Sequence, residues 1–287
     1  MSAIFKKEFK SYFINMSGYV FMAFLLLFAG IYVTAVNLKG GYAAFEITLS
    51  SMSMVFLFVI PILTMRSIAE ERHSRTDQLL YSLPLQVSDI VLGKFFAMLA
   101  VLLIPVAIMS VYPLILSAFG SVNFAASYGA LLAFFLLGGA LIAICMFMSA
   151  LTESQIIAAV LSFGVLLAAY LMSGIATLIP TTAMASFICL IVVSLLLAAA
   201  VWGLTRNPVI AVIAAAVCIL PLSALYYFRS ELFVGLFQKV LDVVSLFTRF
   251  ENFIYGIFDV GAIVYYLSVT VFFLFLTAQS VEKRRWS

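Results

Sequence analysis

The residues able to do chemistry crowd into one stretch of this chain. Arg66, Glu70, Glu71, Arg72, His73, Arg75, Asp77, Asp89 and Lys94 fall between positions 66 and 94 and hold nearly a third of all its charge. Opposite charges three or four residues apart meet on a helix surface. Glu70, Glu71, Arg72 and Arg75 therefore predict ion pairing on a helix that extends out of the apolar run before them. Pro84 interrupts that helix, and Val87-Ser88-Asp89 resembles a turn with a helix N-cap ahead of Ile90. The expected order is helix, break, short helix, next apolar run. A structured loop of mixed charge suits docking to another protein; a merely solvated connector is the plainer alternative.

Nothing in this stretch has the spacing of a catalytic or metal site. His73 is the chain's single histidine, and no His or Cys pair has ligand spacing, so a solvated loop histidine is expected. Cys145, Cys189 and Cys218 all lie in apolar runs, where they act as small hydrophobes and supply no disulfide framework. The Gly93-Lys94 pair lacks the upstream Gly and the following hydroxyl residue of a phosphate-binding loop. No nucleophile elbow, His-Glu-x-x-His helix or paired-carboxylate site is recognisable. No carboxylate, Lys, Arg or His falls in the interior of an apolar run, which disfavours a proton-coupled carrier. Sodium sites built from carbonyls and hydroxyls stay open. If the protein does energetic work, the energy source is on another chain.

The elements that must position the charged loop are membrane spans. Residues 95–152 and 154–205 contain no Lys, Arg, Asp or Glu. Each run is about twice the roughly 20 apolar residues that cross a bilayer as a helix. Each also breaks near its middle, at Gly120-Ser121-Val122-Asn123 and at Pro180-Thr181-Thr182. They predict two membrane hairpins. Four further apolar runs, 17–36, 47–65, 207–228 and 260–281, bring the total to eight spans, or six if part of 180–228 is re-entrant or lies along the surface. Composition agrees: 66% of residues are hydrophobic and 9% charged, against roughly 45–50% and 25% in soluble domains. The 17–36 run is too long for a signal-peptide core and reads as a retained first helix.

Charge placement sets the expected orientation. With the N-terminus inside and eight crossings, Lys6, Lys7, Lys10, Arg66, Arg72, Arg75, Lys94, Arg206, Lys283, Arg284 and Arg285 lie inside, and Lys39, Arg229, Lys239 and Arg249 outside. Both ends are then cytoplasmic. The net charge of +3 is explained by this bias, so no nucleic-acid partner is expected.

Two flanking segments carry helical periodicity. In residues 1–16, Phe5, Phe9, Tyr12, Phe13 and Met16 share one face, with Lys6, Lys7 and Lys10 mostly elsewhere. This predicts a short basic helix in the membrane interface. In residues 229–259, Leu232, Leu236, Val240, Val243 and Phe247 recur at helical period, with Gln238, Asp242, Ser245 and Arg249 opposite. This predicts an amphipathic helix on the outer leaflet or capping the bundle. Leu236, Val240, Asp242 and Arg249 are its candidate cap residues. Leu137-Gly138-Gly139-Ala140 offers a place for two helices to approach closely.

Pro61-Ile62-Leu63-Thr64-Met65-Arg66-Ser67-Ile68-Ala69-Glu70-Glu71, with Leu79-Leu80, Pro84 and Leu92-Gly93-Lys94, resembles the ABC transporter type-2 permeases. Within them it is most similar to the branch holding the gliding-motility permease and the permease of nitrous-oxide-reductase maturation. Leu151-Thr152-Glu153-Ser154-Gln155, Phe250-Glu251-Asn252-Phe253, Tyr255-Gly256-Ile257-Phe258-Asp259 and Lys283-Arg284-Arg285-Trp286 agree with it. Arg75-Thr76-Asp77-Gln78 stands where the family usually has a Gly-Thr pair and then a Glu, and the runs within 180–228 exceed its usual six spans.

The resemblance implies an all-α polytopic membrane protein, one transmembrane permease domain over 1–287. It would have six to eight transmembrane helices, an N-terminal elbow helix over 1–16 and a cytoplasmic coupling helix within 66–94. It implies that Glu70, Glu71, Arg72, Thr76, Asp77, Gln78, Leu79, Leu80 and Pro84 contact a cytoplasmic ABC ATPase subunit. ATP and magnesium would bind that subunit, with no cofactor on this chain, and a second or related permease copy would complete the unit in a bacterial cytoplasmic membrane. The charge-free bundle suits export of a hydrophobic or amphipathic cargo. A non-transporting coupler acting on an extracytoplasmic protein, a secondary carrier and an intramembrane enzyme are the alternatives.

Overall fold

The computed structural model describes residues 1–75, 86–205 and 208–285, and among them every regular element is helical. The elements are α1 (Ser2–Ile14), α2 (Ser17–Tyr32), α3 (Phe45–Ser53), α4 (Phe56–Thr64), α5 (Ala69–His73), α6 (Val87–Met109) and α7 (Tyr112–Leu116). They continue with α8 (Phe124–Leu151), α9 (Gln155–Leu178), α10 (Ala183–Thr205), α11 (Pro208–Phe228), α12 (Leu236–Val244), α13 (Leu246–Ile254) and α14 (Val260–Arg285). Among the described residues, 5 helices are long and apolar enough to cross a membrane, or up to 7 if each of two bent pairs is one span. With backbone groups satisfied inside each helix, such apolar rods are compatible with a hydrocarbon solvent. The protein is an all-α, multi-pass membrane protein.

Two compact units divide the chain, Met1–Tyr170 with Leu246–Ser287, and Leu171–Ser245. The first is built around α8. Its whole middle is buried, from Ala130 to Cys145 with few exceptions, and α3, α4, α6, α13 and α14 all pack on it. Small residues allow that crowding. A Cβ on Gly138 would come within 2.6 Å of Leu102 and 3.2 Å of Phe56, and one on Gly139 within 3.2 Å of Leu99. The Leu137–Ala140 stretch is thus a close-approach site for α4 and α6. Phe56 stacks on Phe134 at 4.2 Å between ring centroids, and Phe134 in turn meets Phe250 of α13 at 6.1 Å.

The expected span over 47–65 is broken. Its halves, Phe45–Ser53 and Phe56–His73, meet at 58°. The break falls at Met54-Val55, where the Val55 N–H bonds the Met52 carbonyl at 2.9 Å, one residue short of its helical partner. The span beginning at Ser17 ends in a π-helical stretch, Val33–Lys39.

The second unit contains α10, α11, a 3-10 turn (Ser230–Phe233) and α12. Phe187, Tyr226 and the fully buried Phe233 form its aromatic centre, with Phe187 and Tyr226 stacked at 4.3 Å. The segment 229–259 is three pieces where one amphipathic helix was expected. Gly235, at φ +67°, ends the 3-10 turn and hands its N–H to the Thr181 carbonyl at 3.0 Å. A second break at Ser245, extended at ψ 120°, separates α12 from α13.

Candidate functional site

The site is built where α1, α5 and the start of α6 converge. In α1, Ile4, Glu8 and Tyr12 are four apart and so share one face; Ile4 and Tyr12 are buried against the unit. Gly93 of α6 is what lets α1 come close, since a Cβ there would meet Ile4 Cγ2 at 2.9 Å. The next residue, Lys94, then lies under α1. Its side chain is 4% exposed, and Nζ donates to Glu71 Oε1 at 2.7 Å and to Glu8 Oε1 at 3.1 Å. One buried ammonium thus joins three segments. Tyr12 lies beside it, donating to the Leu63 carbonyl at 3.4 Å. Burial pushes the Tyr12 hydroxyl well above its ordinary range, and the negative charges of Glu8, Glu70 and Glu71 push it further, so it stays a neutral donor.

A second set of contacts fastens α5 to the end of α8. Ser149 Oγ accepts the backbone N–H groups of Ile68 and Ala69, at 3.3 and 3.1 Å, and donates to the Met65 carbonyl at 3.3 Å. This one hydroxyl satisfies the turn between α4 and α5, whose donors have no helical partner of their own. The buried Arg72 guanidinium donates through Nη1 to the Ala150 carbonyl, which also accepts from Ser280 of α14 at 3.3 Å. Arg284 pairs with Glu153 in the connector between α8 and α9. The charged end of the unit is therefore tied at α1, α5, α6, α8, α14 and the connector after α8.

These placements revise the expected pairing within the loop. α5 is one turn long, and its charges do not form a solvent-facing stripe: Glu70 is exposed, Glu71 turns to Lys94, and Arg72 is buried against α8. Thr76, Asp77, Gln78, Leu79, Leu80 and Pro84 lie outside the described residues. Sequence reasoning assigned Lys94 to an aqueous loop and passed over Glu8 altogether. The available signal was an acidic residue among three lysines, on the face shared by Ile4 and Tyr12. On α1 the packed face is Ile4, Glu8 and Tyr12. Phe5, Phe9 and Phe13 are half-buried beside it and Met16 is exposed beyond the helix end, so the expected aromatic face is offset from the packed one.

Of the cap residues, Leu236, Val240 and Asp242 lie on α12, with Leu236 half-buried and the other two exposed. Arg249 lies on α13, with its guanidinium 4.2 Å above the Tyr265 ring. Ser245 is buried, so it and Arg249 do not form the expected water-facing stripe with Asp242. On α13 it is Leu246, Phe247, Phe250 and Phe253 that are buried.

At the other end of α8 lies a polar group the sequence did not single out. Glu46, in the first turn of α3, is 9% exposed and its Oε2 accepts from Ser127 at 2.9 Å. Next to it, Asn37 donates to the Tyr42 and Ala44 carbonyls at 2.6 and 3.0 Å and accepts from Thr48 at 2.5 Å. Ser127 and Ser149 are roughly 33 Å apart along α8 at 1.5 Å per residue, close to the roughly 30 Å hydrocarbon thickness of a bilayer. Among the described residues no group of three or more His, Cys, Asp or Glu is placed to hold a metal ion.

A family model described as ABC-2 family transporter protein matches residues 33–199, more than half of the chain. The chain belongs to the ABC-2 transporter family. It is thereby a membrane permease subunit of an ABC transporter, of a family that partners with ABC ATPase subunits. No curated protein and no solved structure matches it. The matched region holds Glu71, Arg72, Lys94 and Ser149 but neither Glu8 nor Arg284. The ABC-2 region thus supplies the cation of the cluster and one carboxylate, and α1 supplies the other.

Proposed function

We propose that this ABC-2 subunit works as one permease domain that pairs with a second permease copy and carries ATPase subunits on the segment between α5 and α6. Its termini and that segment lie on the cytoplasmic side of a bacterial cytoplasmic membrane, and the cargo is a hydrophobic or amphipathic molecule moved outward. The observation that supports this reading is the Glu8–Lys94–Glu71 cluster. It fastens both flanks of the 76–85 segment to α1, while Ser149 and Arg72 fasten the first flank to α8. A push on that segment therefore reaches the central helix as a rigid displacement. Two arrangements of the bundle, each favoured by one nucleotide state, would then alternate access.

Removing half of a buried ion pair leaves an uncompensated charge, so the cluster gives a direct test. Purified permease is assembled with its ATPase in nanodiscs, and ATP hydrolysis and cargo release are followed together. Lys94→Met is expected to keep hydrolysis while cargo release falls at least tenfold. Glu71→Lys with Arg72→Glu is expected to release the ATPase. Parallel wild-type values of both activities in these variants would refute the coupling role. Cargo release that never depends on ATP would point to a secondary carrier, and work on an extracytoplasmic protein without cargo release would point to the coupler suggested by the gliding-motility likeness.

A further inference from the structure

Helix α1 has a side that the ion cluster does not use. Going round it with 3.6 residues per turn, the packed face Ile4, Glu8 and Tyr12 is followed by Phe5, Phe9 and Phe13, and then by Lys6 and Lys10. The three phenylalanines are half-buried and form a continuous ladder. Phe5 and Phe9 stack at 5.8 Å, Phe9 and Phe13 meet at 5.0 Å, and Phe13 continues onto Tyr19 of α2 at 5.2 Å. Lys6 and Lys10 are exposed, and neither makes an ion pair among the described residues. Lys7 is 66% exposed and 3.9 Å from Glu8, whose carboxylate is already shared with Lys94.

An apolar ladder edged by unpaired ammonium groups has the form of an interfacial anchor. Rings lie at the level of the acyl boundary while lysine stems lift their charges to the headgroups. A protein surface would also accept such a face, but it would leave the ring ladder and the neighbouring exposed Tyr19 and Val20 of α2 to be covered by the same partner. Those α2 residues open a candidate membrane span, Ser17–Lys39, so the medium that covers them is lipid.

We propose that Lys6 and Lys10, with Lys7, hold the headgroups of anionic phospholipids, and that α1 is thereby an anionic-lipid-selective anchor. This rests on α1 lying in the membrane interface, and because α1 also carries Glu8, headgroup charge on one side is joined to the Lys94 cluster on the other. A cationic residue at an anionic surface raises affinity on the order of fivefold.

The test uses the full chain alone in detergent, titrated with phosphatidylglycerol or phosphatidylcholine and read by native mass spectrometry of bound lipid. Wild type is expected to favour phosphatidylglycerol. Lys6→Gln and Lys10→Gln each lower that preference on the order of fivefold, with unchanged thermal unfolding. Lys39→Gln, an exposed lysine at the end of the π-helical stretch that follows α2, leaves the preference intact. Equal binding of the two lipids by wild type overturns the proposal, as does undiminished preference in the double variant or an equal loss in Lys39→Gln. If the variant with both Lys6→Gln and Lys10→Gln keeps its lipid preference but, in a separate pull-down, no longer retains the ATPase, the lysine face is a protein contact and the proposal fails. No ATPase is present in the lipid titration, so its outcome is independent of the coupling role.

Discussion

The two ends of α8 are held by different physics. At one end a buried lysine bridges two carboxylates, and a guanidinium and a hydroxyl clamp the neighbouring turn. At the other, Asn37 and Thr48 share neutral hydrogen bonds, and Glu46 rests on the Ser127 hydroxyl. Neutral hydrogen bonds contribute about 1 kcal/mol each and can break singly. A buried ion cluster contributes little net stability, because desolvation offsets attraction, yet it is costly to leave half-made. The charged end therefore has one arrangement and the neutral end has several within reach. The proposed drive from the charged end would need that asymmetry: a stiff handle and a yielding far side.

The sharpest way to break this contrast is Lys94→Met. It leaves Glu8 and Glu71 facing each other in a buried place, and a loss of about 3–5 kcal/mol in unfolding stability is expected. Glu8→Gln and Glu71→Gln in the same chain should recover most of it, since the apolar and neutral set has no charge to strand. A single Lys94→Met variant that unfolds like wild type in detergent would remove the clamp from the account. Ser149→Ala comes next. It strands the Ile68 and Ala69 N–H groups, at an expected cost of about 1–3 kcal/mol, and should raise amide exchange selectively in the α4–α5 turn.

Thr48→Val, at the neutral end, removes a single bond to Asn37 and is expected to cost about 1 kcal/mol by the same thermal measurement. Glu46→Gln is the smallest. It keeps an oxygen for Ser127 and strands no charge, so a shift below about 1 kcal/mol, the scale of one hydrogen bond, is expected. A Glu46→Gln effect as large as that of Lys94→Met would make the two ends alike.

The hairpins were legible because lipid imposes a one-dimensional rule. Charge-free runs of double length must break, and the helices do so between Leu116 and Phe124 and between Leu178 and Ala183, where Gly120, Asn123 and Pro180 stand. The ion cluster was not legible, because its partners are 86 and 23 residues apart in sequence. Counting Lys94 as an aqueous charge hid it further, since a charge count sees sign but no neighbours. The 229–259 stripe shows the opposite failure. Leu232, Leu236, Val240 and Phe247 fit one helical period, but periodicity does not register a break, and Gly235 and Ser245 interrupt the run. The break in the 47–65 span lies at Met54-Val55, where the sequence has neither Gly nor Pro to signal it.

The central claim is that α1 and α6 move as one body around Lys94. Spin labels at Asn15 and Ser88, both exposed, read the distance between those helices by pulsed electron resonance, in the assembled complex with and without bound ATP. The account predicts one narrow distance distribution, the same in both nucleotide states, that broadens when Lys94 is replaced by Met. A wild-type distance that changes on ATP binding, or one unaffected by Lys94→Met, would contradict it.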